Sequence, residues 1–486
     1  MANLGAGESR AQEARPRQGL KLSLPVKLAY GAGDFGAGLT SQFMAFFLLS
    51  FLIYVAGMDP LVAGSVLAFG KVWDAVNDPL VGMLSDRTKT KWGRRYPWMF
   101  LTAIPFGLSY FCIWITPGFE SSTAQFWYYV VITTIFQIFF TTTNLPYTAL
   151  TAEMSRSYDE GTELTSFRLA FSVAGGVAIL VVAGIFSQLF LDEGQRYLAL
   201  GAFGGLISVL SIYWCVFGTY GYMRQKAANE GQTLNAIATD AAGNEIEQDS
   251  FFEQLRVVIS NRPFLFVVGI YLFSWLALQI TAAIIPFYAK SWMDTDANIV
   301  ALLVQGPSII MMFVCASLSK RIGKKNLYFL GSGLWIIVQL ALFFLQPGQI
   351  NILYGLCLIA SFGVATAYVV PWSILPDVID LDELNTGKRR EGTFYSFMTL
   401  LQKIGLAVGL FVVGAALDAA GFVKDTVAQP DSALQAIRFF MGPVPLLFVI
   451  CGVVLIYFYP ITREAHAEIM LKLAERKKIA QAEPKL

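Results

Sequence analysis

Lys71, Asp74, Asn77 and Asp78 stand together in the stretch KVWDAVNDP, inside an otherwise apolar run over roughly residues 60–84. On a helix, Lys71, Asp74 and Asp78 fall at i, i+3 and i+7 and share one face, with Asn77 flanking it. Two carboxylates one turn apart repel unless a cation or a proton sits between them. Their oxygens, the Asn77 amide and a donor from a neighbouring helix form a ligand set for a hard cation such as Na+, with H+ as the other candidate. A structural Lys71–Asp74 pair, with Asp78 near the membrane interface, is the alternative reading, and both stay open at this point.

Other polar groups interrupt apolar runs in the same way. They are Asp34, the Thr141–Thr142–Thr143–Asn144 series in TTTNLPY, Arg168 and Lys403. An ionisable side chain at mid-bilayer costs roughly 2.5–3.5 kcal/mol, so several of them in one bundle need partners or a function. Lys403, between TLLQ and IGLAVGL, requires either a carboxylate partner or an anion on a solute. Pro79, Pro146 and Pro371 lie beside polar residues, where proline frees a backbone carbonyl near a cavity. Charges of both signs mark the ends of the runs: Asp86, Arg87, Glu153, Arg156, Asp377, Asp380, Asp382, Glu383, Arg389, Arg390 and Glu391. Asp86, Arg87, Asp377, Asp380 and Arg389 are candidates for a cytosolic gate; solvated interfacial charge is the plainer reading.

The elements that must position these groups follow from composition. The 486 residues are 56% hydrophobic and 14% charged, against about 25% charged in soluble domains, so most of the surface faces lipid. Twelve runs approach the roughly 20 apolar residues a spanning helix needs: near 28–56, 60–84, 97–117, 123–152, 165–191, 197–221, 263–289, 297–319, 326–346, 349–378, 392–419 and 434–460. In lipid every backbone group must be satisfied within its segment, so these runs are expected to be helices. The expected fold is all-α, two six-helix halves with a binding site between them. The expected division is an N-terminal arm over 1–26, bundles over 27–222 and 261–461, a linker over 223–260 and a tail over 462–486. Within the linker, Phe251, Phe252, Leu255 and Val258 form an apolar stripe at helical spacing that can lie on the membrane surface.

Orientation is read from the basic loops. DRTKTKWGRR, SKRIGKK and GKRR alternate with loops holding only Arg196, Lys290 and Lys424. The basic loops, the linker and both termini are therefore expected in the cytosol, in a plasma-membrane protein. No short apolar core of a cleavable signal follows the polar first 24 residues. GMLSDRTKTKWGRR has a weaker echo in SLSKRIGKK, as an internal repeat would give.

The same composition excludes other classes. A net charge of +1 gives no field for nucleic acid. Cys112, Cys215, Cys315, Cys357 and Cys451 lie in apolar runs without metal-ligand spacing, and His466 is the single histidine. No nucleophile–base pair points to an enzyme. The linker and tail are too short for the folded signalling domain a receptor would carry.

The motifs KLAYGAGDFG, WDAVNDPLVG, NLPYTAL, SFRLAFS, PDVID, TGKRREG and YSFMTLLQK resemble, in order and spacing, the glycoside–pentoside–hexuronide:cation symporters. These are melibiose-permease-like members of the major facilitator superfamily. WDAVNDPLVG, LPYTAL and VPWSILPDVID are also similar to the sodium-dependent lysophospholipid transporters of animals. The resemblance implies a cation site at Asp74, Asn77, Asp78 and Thr141, and a solute site that includes Arg168, Thr399 and Lys403. The family's sugar-gripping acids align with Gly38 and Asn144, and its tryptophans with Thr148 and Tyr368, so half of the galactoside set is replaced; Asp34 lies one turn from Gly38.

The expectation is a Na+-coupled symporter of a sugar-class or other small organic solute working by alternating access, with an amphipathic lysophospholipid as the alternative cargo. Its partners are the solute, the coupling cation and the bilayer. No organic cofactor and no obligate protein partner is implied. With acids lost at Gly38 and Asn144 while Arg168 and Lys403 remain, the expected solute carries an anionic or zwitterionic group, with Lys403 placed across the cavity from the cation site.

Overall fold

The apolar runs fold as helices, and among the described residues helices are the only regular element. The computed structural model describes residues 22–155, 158–230, 233–234, 251–387, 390–424 and 428–482. The first span is built from Leu24–Ala32 and Phe35–Ser50, broken at Gly33–Asp34, and closes in a π-helical turn, Phe51–Val55. Spans two to six are Pro60–Arg87, Tyr96–Ile113, Ser122–Met154, Tyr158–Leu189 and Glu193–Glu230. The sixth helix thus continues past the boundary expected at 222.

Span seven is Arg262–Phe287, which also ends in a π-helical turn, Tyr288–Trp292. Spans eight to eleven are Ala297–Ile322, Lys324–Phe344, Ile350–Thr386 and Glu391–Ala419. The twelfth is split at Gly442 into Asp431–Met441 and Pro443–Phe458. Short helix Phe251–Ser260 buries Val258, with Leu255 packed against the core of the second half, so this part of the stripe meets protein. Helix Arg463–Ala482 follows the last span.

Eleven of these helices are long and apolar enough to cross a bilayer. The twelfth, Pro60–Arg87, has the length, 28 residues, but Lys71, Asp74, Asn77 and Asp78 dilute its apolarity. Its lipid stripe is nonetheless intact: Phe69, Val72, Trp73, Val76, Leu80 and Leu84 are exposed at helical spacing. The polar face is turned inward, with Asp74 and Asn77 buried.

The halves meet along three packed pairs: span two on eleven, one on seven, and five on eight. Small residues bring the second and eleventh spans together. A Cβ added at Gly414 would lie 2.4 Å from the Pro60 carbonyl oxygen and 2.9 Å from Gly64 Cα. The halves are also latched at the end away from the basic loops. Lys290 pairs with Glu193 at 2.8 Å, Tyr54 and Ser291 share a hydrogen bond of 2.9 Å, and Lys424 reaches Asp59 at 3.2 Å. Tyr54 and the Lys290–Ser291 pair sit on the matching π-helical turns of spans one and seven, whose i→i+5 bonds run from Ala56 N–H to Phe51 and from Met293 N–H to Tyr288. Such turns are rare and often functional.

At the basic end the described ion pairs stay within each half. Glu153 accepts from Arg94 at 2.8 Å and Arg95 at 3.1 Å. Lys226 donates to the Glu153 and Met154 carbonyls at 2.8 and 3.3 Å. In the second half Lys324 holds Asp377 at 2.8 Å, and His466 meets Asp380 at 3.1 Å. Asp382 is joined by Arg390 at 3.6 Å. Arg87 is exposed; Arg156 and Arg389 lie outside the described residues, as do the arm before residue 22 and most of the linker.

Candidate functional site

Span two presents Asp74 and Asp78 one turn apart toward spans four and eleven. Thr141, buried on span four, places its hydroxyl 3.3 Å from Asp74 Oδ1 and 3.1 Å from Asp78 Oδ1, and its single proton serves one carboxylate at a time. Lys403 comes from span eleven. Its Nζ lies 2.5 Å from Asp78 Oδ2 and 3.1 Å from Asp74 Oδ1. Both are charge-assisted contacts, and together they put one ammonium between the two acids.

This settles how the acids coexist: the repulsion between them is relieved by a cation supplied by the other half of the protein. It also places Lys403 in the carboxylate cluster instead of across the cavity from it. The geometry differs from the sequence expectation because spans two and eleven pack in direct contact, a neighbourhood 325 residues apart in the chain. Asn77 is buried and donates from Nδ2 to the Gln137 carbonyl of span four at 3.3 Å. It therefore ties the second span to the fourth.

A cavity of about 300 Å³ opens beside this cluster, between spans one, two, four, seven and eleven. Lys71, Asp74 and Lys403 line it on one side; Ser41, Gln279 and Gln402 add neutral polar groups. The rest is apolar, with Met44, Leu48, Phe136, Phe140, Leu406 and Trp275. Its size falls at the lower edge of the roughly 300–1,000 Å³ of small-molecule sites. Trp275, whose Nε1–H has no hydrogen-bond partner, stands edge-on to Tyr368 at 5.8 Å. Tyr368 lines a neighbouring small cavity.

The remaining expected solute residues form a second group. Arg168 Nε is 3.9 Å from Asp34 Oδ2 and makes no hydrogen bond. Asp34 sits at the break in the first span, where Tyr147 crosses and its hydroxyl donates to the Tyr30 carbonyl at 2.8 Å. Asn144 Oδ1 is buried without a hydrogen-bond partner. Thr148 and Thr399 bond back to their own helices, at Leu145 and Tyr395. The bend at Gly33–Asp34 and the outer latch carried no sequence signal beyond isolated basic residues.

Gly38 is a place of close approach. A Cβ there would lie 2.0 Å from the Ser172 carbonyl oxygen of span five, so the structure leaves no room for a side chain. Gly38→Ala is expected to cost about 1–3 kcal/mol through overpacking, read as a lower unfolding midpoint of the purified protein. An unchanged midpoint would show that spans one and five part easily at this contact.

Among the described residues no cluster of three or more His, Cys, Asp or Glu could hold a metal. The polar set gathered here is two carboxylates, one hydroxyl and one ammonium.

Comparison with known proteins agrees with this architecture. Residues 29–463 match a family described as MFS/sugar transport protein. An uncharacterized symporter of Synechocystis sp. is 41% identical over 533 residues, covering 94% of this chain and 97% of that protein. The sodium-dependent lysophosphatidylcholine symporter 1 of Gallus gallus is 28% identical over 488 residues, covering 95% and 90%. In fold, the inward open conformation of the xylose transporter XylE from E. coli superposes with a TM-score of 0.62 at 13% identity, over 92% of this chain and 98% of that one. The chain thus belongs to the MFS/sugar transport family, and its two six-helix halves are those of a secondary active transporter of the major facilitator fold.

Proposed function

We propose that the chain is a Na+-coupled symporter in which the coupling ion binds at Asp74, Asp78 and Thr141, with Asn77 steadying the site, and the solute occupies the cavity beside it. The observation that carries this reading is the Lys403 ammonium between the two carboxylates. The carboxylate oxygens that hold this ammonium are also the ligand type a hard cation prefers. Na+ entering there competes with Lys403 and loosens a tie between the two halves. That exchange links ion binding to the rocking of one half against the other.

The cavity wall supports a solute with an apolar part and an anionic or zwitterionic group. A lysophospholipid-type amphiphile is the second reading, favoured by the apolar lining and by the lysophosphatidylcholine for which the Gallus gallus relative is named. A sugar-class solute rests on the family description. In either case a tenfold Na+ gradient supplies about 1.4 kcal/mol and 100 mV about 2.3 kcal/mol more. One ion per solute therefore supports roughly several-hundredfold accumulation. Uptake into proteoliposomes under an inward Na+ gradient, with choline as the replacement, tests the proposal. Uptake of every solute tested at the same rate in choline would overturn it.

The reading places the protein in the plasma membrane with the basic loops and both termini in the cytosol, on the bias of Lys and Arg. Ala228, exposed on the helical extension of span six, then faces inward. A cysteine at Ala228, in a background lacking the five native cysteines, should react with a membrane-impermeant maleimide only after permeabilisation. Labelling in intact cells would reverse the orientation.

A further inference from the structure

We propose that the Lys71 ammonium is the receptor for an anionic group on the transported solute, a carboxylate or a phosphate, and that cation binding at the neighbouring aspartates arms it. The inference rests on the cation and solute readings above and adds the residue that selects the solute's anionic group and its coupling to the cation.

Lys71 lines the 300 Å³ cavity. Its nearest candidate partner by sequence is Asp74, one turn on, but that carboxylate is engaged by Lys403 at 3.1 Å and lies 3.3 Å from the Thr141 hydroxyl. Asp78 is engaged by Lys403 as well. Among the described residues Lys71 makes no ion pair within 4.0 Å and no hydrogen bond. Asp74 and Asp78 attract it only beyond contact distance, and a cation inside a membrane bundle with no direct pair is costly and is by default a candidate for a substrate or ion path. Here it faces a space of ligand size whose only lining carboxylate, Asp74, is already taken.

Charge balance gives the order of events. Counted as formal charges, Asp74 and Asp78 offset Lys71 and Lys403, and the empty cluster sums to zero. A Na+ ion added between the acids brings one positive charge and displaces Lys403, leaving two ammoniums beside the cavity. An anionic group restores neutrality, so ion and solute each favour the binding of the other. The apolar wall of Met44, Leu48, Phe136 and Phe140 receives the uncharged remainder of the solute.

The same anionic chemistry can be carried by a sugar or by a lipid headgroup, and two matched probe pairs separate these sources. Methyl glucuronide is compared with methyl glucoside, and octanoyl lysophosphatidylcholine with monooctanoylglycerol. Binding is measured on the full chain in nanodiscs, in Na+ and in choline, for the wild type, Lys71→Gln and Lys71→Arg. In Na+ the wild type should prefer the charged member of one pair by roughly 10- to 100-fold, the range for a buried charge contact. Lys71→Gln should erase that preference and Lys71→Arg should keep most of it. Na+ affinity in Lys71→Gln should be retained or rise, because a nearby positive charge has gone, and this reports on folding.

A wild type that prefers neither charged probe, or a Lys71→Gln protein that keeps the preference, overturns the proposal. A preference that Lys71→Gln erases equally in Na+ and in choline upholds Lys71 as the anion receptor and overturns the arming by the cation. If Na+ binding itself is absent, the symport reading has failed, and the choline series still decides the role of Lys71.

Discussion

Replacing Lys403 with glutamine is expected to collapse Na+-driven accumulation from the several-hundredfold limit to a ratio near one, while Na+ still binds. The ammonium is the described group that ties Asp74 and Asp78 to the eleventh span, so its loss removes the competitor that converts ion binding into a change at the interface. The two acids then face each other without a resident cation, and Na+ relieves their repulsion. Na+ should therefore raise the unfolding midpoint of Lys403→Gln by more than that of the wild type. Each charge-assisted contact removed is worth roughly 1.5–3 kcal/mol, or about tenfold or more in apparent Na+ affinity. Accumulation that survives in Lys403→Gln would show that the ammonium is a structural filler and that coupling runs elsewhere.

The second large effect is expected at the acids. Asp78→Asn and Asp74→Asn should each lower Na+-stimulated uptake by about 100-fold or more, because each removes a charged oxygen and leaves Lys403 the remaining carboxylate without a rival. Their stability costs should differ. The Asp74 side chain is only 6% exposed, so breaking its pair falls near the roughly 3–5 kcal/mol typical of a buried charge left unmatched. That of Asp78 is 33% exposed, and solvent screening reduces the loss. Asp78→Asn is thus the cleaner probe of transport, expected to fold and to fail. Thr141→Val, which deletes a neutral ligand, should weaken uptake less than either. Accumulation retained in both acid variants would make the span-two cluster structural.

Much of this was legible in the sequence because lipid penalises charge so heavily. Asp74 and Asp78 stood out inside an apolar run, helical spacing put them on one face, and the family motif joined Thr141 to them. The structure brings these three together. The spans were legible for the same reason, since roughly 20 apolar residues in a row have few alternatives.

What could not be read is what depends on which helices touch. Asp74 had Lys71 as a candidate partner one turn away, and the pairing with Lys403 is decided by the contact of spans two and eleven at Gly64 and Gly414. Periodicity near 3.6 does not separate an α-turn from the π-turns at Phe51–Val55 and Tyr288–Trp292, so the latch built on Tyr54, Lys290 and Ser291 left no pattern. Gly38 aligned with a sugar-gripping acid in the related symporters, yet its place in the chain is decided by the Ser172 backbone packed against it.

The central claim is that the oxygens of Asp74 and Asp78 hold the coupling ion, and calorimetric titration of the purified protein with NaCl tests it most directly. Ionic strength is held constant with choline chloride and no solute is present. The account predicts a saturable isotherm for the wild type that is lost, or weakened by at least about tenfold, in both Asp74→Asn and Asp78→Asn. Two variants that bind Na+ as the wild type does would contradict it.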